Sequence, residues 1–295
     1  MLTLNDLHNI YQAYESDWDA RVESFSVGNQ YFDFNCTQAM MGVINLSSDS
    51  WYRESVCVSS EQAIRRALTL QAQGAHLIDI GAESTLPQAQ LASGEQQQNQ
   101  LLPLLATLHQ HNVATSVETY HPEVAKACLQ AGAAVINLTG SEDSAAIYQQ
   151  VAAHDAGVII CFVQGKNVRD VDAIELGADP VQVMYDYFAR QIETATKAGV
   201  RKIFIDAGLG FYYKNLQDSN ERIRYQMRTF LTGFRLRRLG FPVCQALPHA
   251  FEHFGEEVRT AESFFAVLAT LGKTDLVRTH EVAKVKAVLD TLHAY

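Results

Sequence analysis

Carboxylates, amides and cations recur in this chain just where short apolar runs end. Asn45 lies near the end of the run Met40–Leu46 with Asp49 behind it, and Asp79 lies in the next run with Glu83, Ser84 and Thr85 behind it. Glu118, Asn137 and Asp206 close three further runs, while His249, Arg278 and His280 follow the last two. The set is one-sided, with acids and amides early and cations late. Carboxylates and Asn suit the N–H edge of a heterocycle, and Arg278 with His280 suits phosphate oxygens. The matching ligand carries amide-like or amidine-like donors on one side and an anionic group on the other.

Such residues converge only if the runs are parallel strands that deliver their C-terminal ends to one mouth. Eight runs have strand length: Met40–Leu46, His76–Ile80, Val113–Val117, Ala134–Leu138, Gly157–Val163, Lys202–Asp206, Pro242–Ala246 and Asp275–Arg278. Short, largely apolar runs of this kind read as strands buried on both faces. Helical periodicity separates them, at Ser59–Gln73, Gln96–His109, Pro122–Ala131, Ser144–His154, Pro180–Lys197, Glu262–Leu271 and Glu281–His293. In Ser59–Gln73 the spacing places Ile64, Ala67, Leu68 and Ala72 on one face, with Ser59 and Gln62 at capping-box positions and Gly74 at the end. Eight alternating strands and helices predict a (β/α)8 TIM barrel over residues 39–295, with a mouth built from the strand-end loops. An open doubly wound sheet is the alternative, but the glycine fingerprint after a first strand is missing. Residues 1–38 form an N-terminal extension whose alternating segments predict a hairpin capping the barrel bottom. The Gln-rich stretch Gln88–Gln100 predicts a loop leading into a helix.

The 295 residues suffice for one barrel, which takes about 250. A net charge of −10 and a pI near 5.4 argue against a general nucleic-acid binder. No stretch offers about 20 apolar residues for a membrane span, and the N-terminus lacks a basic-then-apolar leader. Cys36, Cys57, Cys128, Cys161 and Cys244 contain no Cys-x-x-Cys pair and read as reduced thiols of a cytoplasmic protein.

Several residues carry two readings. Asp79 serves either a ligand or the loop backbone, and Glu83 to Thr85 serve either a ligand or a turn. His249 and His253 have helical metal-ligand spacing but no third ligand nearby in sequence, which favours a surface pair. Phe211, Tyr212 and Tyr213 either stack on an aromatic ligand or anchor a loop. Arg235, Arg237 and Arg238 read as a solvated helix end.

Met41-Gly-Val-Ile-Asn-Leu-Ser-Ser-Asp-Ser50 resembles the first motif of the dihydropteroate synthase family, and Ile78-Asp-Ile-Gly-Ala-Glu-Ser-Thr-Leu-Pro87 the second. Later blocks follow in order, at Ser116-Val-Glu-Thr-Tyr120, Ile136-Asn137, Asp206-Ala-Gly-Leu-Gly-Phe211 and Val277-Arg-Thr-His-Glu-Val282. The resemblance runs from about residue 38 to the C-terminus. It implies a pterin-binding barrel that joins a hydroxymethyl-dihydropterin pyrophosphate to p-aminobenzoate and releases pyrophosphate. By the same resemblance Asn45 holds Mg²⁺, Arg278 and His280 bind the anion, and Thr85, Glu118, Asn137 and Asp206 belong to the substrate site. Asp49 is then the loop acid near the developing carbocation, and a homodimer is expected.

The departures cluster on the second substrate. Where the family has Ser-Arg-Lys-Ser after strand seven, this chain has Leu247-Pro-His-Ala250, so His249 replaces the Lys and Ala250 the carboxylate-binding Ser. Leu86 replaces a loop Arg, and Glu118 replaces an Asp. Losing a charged hydrogen-bond partner costs about 1.5–3 kcal/mol, so an altered acceptor site follows. A methyltetrahydrofolate-dependent methyltransferase, a non-catalytic pterin-binding homologue and a barrel acting on another phosphorylated metabolite are the rival readings.

Overall fold

All eight apolar runs form parallel strands, nearly every residue of which is buried. The computed structural model describes residues 1–47, 49–50, 52–84, 89–171, 173–175, 177–211, 213 and 215–295. The chain opens with α1 (Leu4–Ala13), the single turn α2 (Glu15–Trp18) and the hairpin strands β1 (Phe25–Val27) and β2 (Gln30–Phe32). The barrel strands are β3 (Ala39–Asn45), β4 (Leu77–Gly81), β5 (Thr115–Thr119), β6 (Val135–Leu138) and β7 (Gly157–Cys161). A small hairpin, β8 (Gly165–Asn167) with β9 (Asp170–Val171), precedes the last three barrel strands: β10 (Lys202–Asp206), β11 (Val243–Ala246) and β12 (Leu276–Thr279). Between them lie α3 (Ser60–Ala72), α4 (Gly94–Gln110), α5 (Pro122–Gln130), α6 (Ser144–Ala153), α7 (Pro180–Lys197), α8 (Ser219–Thr232), the short α9 (Phe251–Phe254) and α10 (Val258–Leu271), with α11 (Val282–His293) last.

The strands close in the order β3-β4-β5-β6-β7-β10-β11-β12, with β12 pairing back to β3. Closure rules out the open doubly wound sheet. Helix starts follow local chemistry: Ser93 and Gln96 make a reciprocal capping box at α4, and Asp179 caps α7 ahead of Pro180. At α3 the Ser59 side chain accepts from the Gln62 amide, but Gln62 reaches Val58 rather than Ser59, and the buried stripe is Ala63, Ala67 and Leu70. The stripe is rotated from the predicted one: Ile64 and Leu68 pack at its edge, partly buried, and Ala72 is exposed.

The N-terminal hairpin closes the end of the barrel opposite the mouth. Phe25 and Phe34 set their rings edge-on to Phe204 at 5.1 and 5.5 Å, and Phe32 lies 6.0 Å from His76, just before β4. α8 escaped the periodicity because its outward residues are so polar that only its C-terminal end carries a clear apolar face.

The arginines after α8 are not a solvated helix end. They lie in a 3-10 segment, Gly233–Leu239, where Arg235 and Arg237 are buried. Arg235 donates to both oxygens of Asp179, at 2.9 and 2.7 Å, and lies over the Tyr14 ring. Arg237 donates to Asn35 at 3.0 Å and pairs with Asp275, while Arg238 reaches Asp17 at 3.1 Å. The cluster thus ties the N-terminal segment to the barrel. Lys cannot reproduce the planar two-point contact. Arg235→Lys is expected to lower stability by about 1–3 kcal/mol, and Arg238→Lys, whose own side chain is partly exposed and reaches Asp17 through a single nitrogen, by less than about 1 kcal/mol. Urea denaturation checks the contrast; equal midpoints for the two variants would contradict it.

Candidate active site

Six barrel strands bring acids, amides and one guanidinium into the mouth. Asp79 of β4 stands beside Ser116 of β5 in register, and Glu118 stands beside Gly81 and Asn137. Arg278 enters from β12 and donates to Asp79 Oδ2 at 3.1 Å, with Glu118 Oε2 3.9 Å away. Asn137 donates to the same Asp79 oxygen at 2.9 Å and accepts from the Cys161 thiol. Asp206 ends β10, and its Oδ1 accepts from the Gly208 amide at 2.8 Å. That turn needs glycine: Gly208 has φ +67°, and a Cβ there would stand 2.5 Å from the Phe162 carbonyl.

Acceptor atoms outnumber donors in this cage. Asp79 Oδ1, Asp206 Oδ2 and Ser116 Oγ are buried without a hydrogen-bond partner among the described residues. Such atoms cost free energy unless a ligand or water satisfies them. Burial raises the Glu118 carboxyl to about 7, Arg278 opposing the rise and Asp79 adding to it. Burial also raises Asp206 against the pull of Arg278 and the Gly208 amide. Arg278, among several acids, stays protonated.

Above the cage, Asn45, Tyr52, Glu118, His249, Arg278 and His280 line one cavity, joined by Leu209 and Phe211 from the loop after β10. Asn45 donates to Ser55 Oγ at 2.6 Å, which leaves its carbonyl oxygen to face inward. A Cβ on Gly81 would lie 3.6 Å from that oxygen and 3.5 Å from Glu118 Oε2. This oxygen-lined space suits Mg²⁺, which takes few protein oxygens and completes its shell with water and phosphate.

Arg278 and His280 both reach the cavity, but different acids hold them. His280 Nδ1 lies 2.8 Å from Glu262 Oε1, and His249 Nε2 lies 3.2 Å from the same atom. His249 therefore does not form a surface pair with His253. α9 begins only at Phe251, so the two histidines never share a helix face, and His253 is exposed. Tyr52 stacks on both His249 and His280 with ring centroids 4.9 and 4.5 Å apart. Its hydroxyl donates to Glu281, which Arg259 also holds.

Asp49 sits on the exposed rim, where its carboxylate accepts from the Gln90 amide, and is not drawn into the cavity. Thr85 and Leu86 lie outside the described residues, as does Tyr212. Phe211 faces the cavity, while Tyr213 is buried and donates to the Phe162 carbonyl as a loop anchor. Glu83 braces its own loop and accepts from Tyr120 at 2.7 Å. Arg169, on the turn between β8 and β9, donates to the carbonyls of Ser84 and Ala89 and so holds the β4 loop from outside.

Sequence reasoning missed Tyr52, Arg222 and Glu262. Arg222 of α8 lines the cavity and pairs with Glu252. Glu262 carried a usable signal, since it is the sole acid in the apolar stretch Ala261–Leu271 of α10. Tyr52 carried none.

The sequence matches the family described as pterin binding enzyme over residues 41–246. A dihydropteroate synthase of Synechocystis sp. is 30% identical over 281 residues, covering 90% of this chain and 94% of that one. The Xanthomonas albilineans dihydropteroate synthase solved with 4-aminobenzoic acid superposes at a TM-score of 0.77 and 25% identity, covering 92% of this chain and 97% of that one. The Burkholderia cenocepacia enzyme complexed with 7,8-dihydropteroate gives the same TM-score and identity, with 92% and 96% covered. A closed barrel whose strand ends carry these acids, matched over nine-tenths of its length at this identity, belongs to the dihydropteroate synthase family of pterin-binding enzymes.

Proposed function

We propose that the protein is a dihydropteroate synthase-like transferase that binds a hydroxymethyl-dihydropterin pyrophosphate and couples its methylene carbon to p-aminobenzoate or to a different acceptor. The unsatisfied acceptors Asp79 Oδ1, Asp206 Oδ2 and Ser116 Oγ carry this reading. A pterin edge is a planar array of N–H donors, which these oxygens lack. Arg278 donates through Nη1 to Asp79 Oδ2, with Glu118 3.9 Å off, and leaves these three oxygens open to the ring. In this reading residues 39–295 are the pterin-binding unit, and Glu118, Asn137 and Asp206 hold the ring.

Arg278 and His280 then face the pyrophosphate, where cationic and hydrogen-bonding groups stabilise the departing charge. Mg²⁺ held by Asn45 would neutralise the leaving group. By its motif Thr85 is assigned to the substrate site, and Asp49 is the acid assigned to the developing positive charge. The acceptor site is altered: His249 is turned to Glu262 and His280, and Ala250 offers no side-chain donor beside the cavity. Arg222 is the guanidinium left on that wall. Free thiols fit a cytoplasmic location, and no helix among the described residues is long and apolar enough to cross a membrane. Phe264 and Leu271, exposed on α10, fit a homodimer contact that sedimentation would detect.

Calorimetry with the reduced pterin and its pyrophosphate ester, followed by pyrophosphate release with p-aminobenzoate, tests the function. Binding of neither pterin would end the proposal. Binding without turnover on a panel of aryl amines would identify a non-catalytic homologue.

The pH dependence follows from Glu118. Its carboxyl is raised to about 7, so a neutral side chain must ionise before it accepts fully from the pterin. Affinity is expected to rise about tenfold from about pH 6 to about pH 8, as the competent fraction grows. Glu118→Gln should flatten the profile, and a wild-type slope of opposite sign would refute the assignment. Stability runs the other way: a raised folded-state pKa favours folding at low pH, and that contribution is lost as pH climbs through about 7.

A further inference from the structure

His249, Glu262 and His280 converge on one another more closely than any other group of potential ligands among the described residues. Three donor atoms form a small triangle. His280 Nδ1 to Glu262 Oε1 is 2.8 Å, His249 Nε2 to Glu262 Oε1 is 3.2 Å, and His249 Nε2 to His280 Nδ1 is 3.3 Å. A tetrahedral Zn²⁺ with bonds of about 2.0–2.2 Å spaces its donors roughly 3.3–3.6 Å apart. The triangle is slightly smaller than one tetrahedral face, its shortest edge being the His280–Glu262 contact, so a bound ion would spread it by a few tenths of an ångström.

The surroundings orient each donor. Glu262 is fully buried, and its second oxygen, Oε2, accepts from the Thr279 hydroxyl and from the amides of His280 and Glu281. Three donors on Oε2 leave Oε1 aimed at the two imidazoles. Tyr52 lies flat against both rings, and its own hydroxyl is fixed by Glu281. Supporting shells of this kind set ring orientation and ligand basicity in metal sites. Both imidazoles are mostly buried, with side chains 18% and 16% exposed, yet both border the cavity.

We propose that His249, Glu262 and His280 form a divalent metal site of the His₂Glu type, selective for Zn²⁺ or a similar borderline cation, with its remaining position open to the cavity. Two nitrogen donors and one carboxylate disfavour Mg²⁺, which demands an oxygen shell. The site is therefore separate in chemistry from the oxygen-lined space beside Asn45. It shares His280 with the pyrophosphate assignment, but its metal test needs no pterin. An anionic ligand oxygen is the group best suited to the open position, because the bound cation would be the strongest local charge.

The whole chain, stripped with a chelator, would be titrated with Zn²⁺ and Co²⁺. The expected result is one equivalent of Zn²⁺ per chain by elemental analysis after gel filtration, and an intense visible Co²⁺ spectrum of tetrahedral type. His249→Ala lies on a loop, so it should leave the fold intact while weakening binding by at least about 100-fold. Thr279→Val, which removes one donor from the positioning of Glu262, should weaken it about 10-fold or more without changing the ligand set. Excess Mg²⁺ should not displace the Co²⁺ spectrum. No metal retained and no Co²⁺ band at millimolar Co²⁺ would overturn the site and leave a hydrogen-bonded cluster in its place. Full stoichiometry in His249→Ala, or displacement by Mg²⁺, would overturn it equally. Pterin binding measured on the same samples reports on the other assignment independently.

Discussion

Replacing Arg278 by Met is expected to destabilise the protein by about 3–5 kcal/mol, the usual cost of leaving buried charge without its partner. Arg278 Nη1 lies 3.1 Å from Asp79 and 3.9 Å from Glu118, and the Asp206 carboxylate acts on it as well. Met fills similar space but neutralises nothing. Burial raises Glu118 to about 7 and pushes Asp206 upward even beside Arg278, so the folded variant has to hold protons that the unfolded chain releases. Its deficit should therefore shrink toward about pH 5 and deepen above about pH 7. Urea denaturation across pH reads both effects. An Asp79→Asn change on top of Arg278→Met should recover part of the loss, because it removes one uncompensated acid. A pH-independent deficit, or none at pH 8, would show that the cage is not held by its central cation.

Asp206→Asn is expected to separate binding from stability. The side chain keeps its shape, and Asn Oδ1 still accepts from the Gly208 amide, as Asp206 does at 2.8 Å. At the other position a donor replaces the unpartnered acceptor Asp206 Oδ2. A pterin N–H then meets an N–H. Losing a hydrogen bond to a charged group costs about 1.5–3 kcal/mol, or roughly 10- to 150-fold in affinity for the pterin and for its pyrophosphate. Folding stability should stay level or rise, since burial, which works against a charged carboxylate at this position, acts less on a neutral amide. Calorimetry with a parallel denaturation curve measures both. Wild-type affinity in this variant would remove Asp206 from the site.

Much of this architecture was legible along the chain. Buried parallel strands declare themselves as short apolar runs, because both faces are covered, and each predicted run lies within about two residues of an observed strand. The hairpin below the barrel was legible from its alternation. Positions at strand ends follow from the fold itself, so Asn45, Glu118, Asn137, Asp206 and Arg278 could be placed at a common mouth before any distance was known.

What reads poorly is any residue whose meaning depends on a distant partner. Arg235 and Arg237 look like a solvated basic patch until Asp179, Asp275 and Asn35 are found against them. α8 hid behind its polar residues, since periodicity cannot weigh a face whose apolar partners come from α10 and the 3-10 turn. His249 suggested His253, four residues on, yet its partners are Glu262 and His280, from α10 and the end of β12. Arg278 and His280, two residues apart, read as one anion-binding pair; in the fold each answers to a different acid.

The sequence by itself determined the barrel, the family and the acids and cations at its mouth, because burial of strands and the alternation of strand and helix are local patterns. Tertiary structure alone decided how those groups pair. It set Arg278 among the carboxylates, left Asp79 and Asp206 oxygens unsatisfied, and closed His249, Glu262 and His280 into a triangle. Pairing is a matter of a few ångströms between strand ends far apart in the chain, and closing the barrel is the step that brings them together.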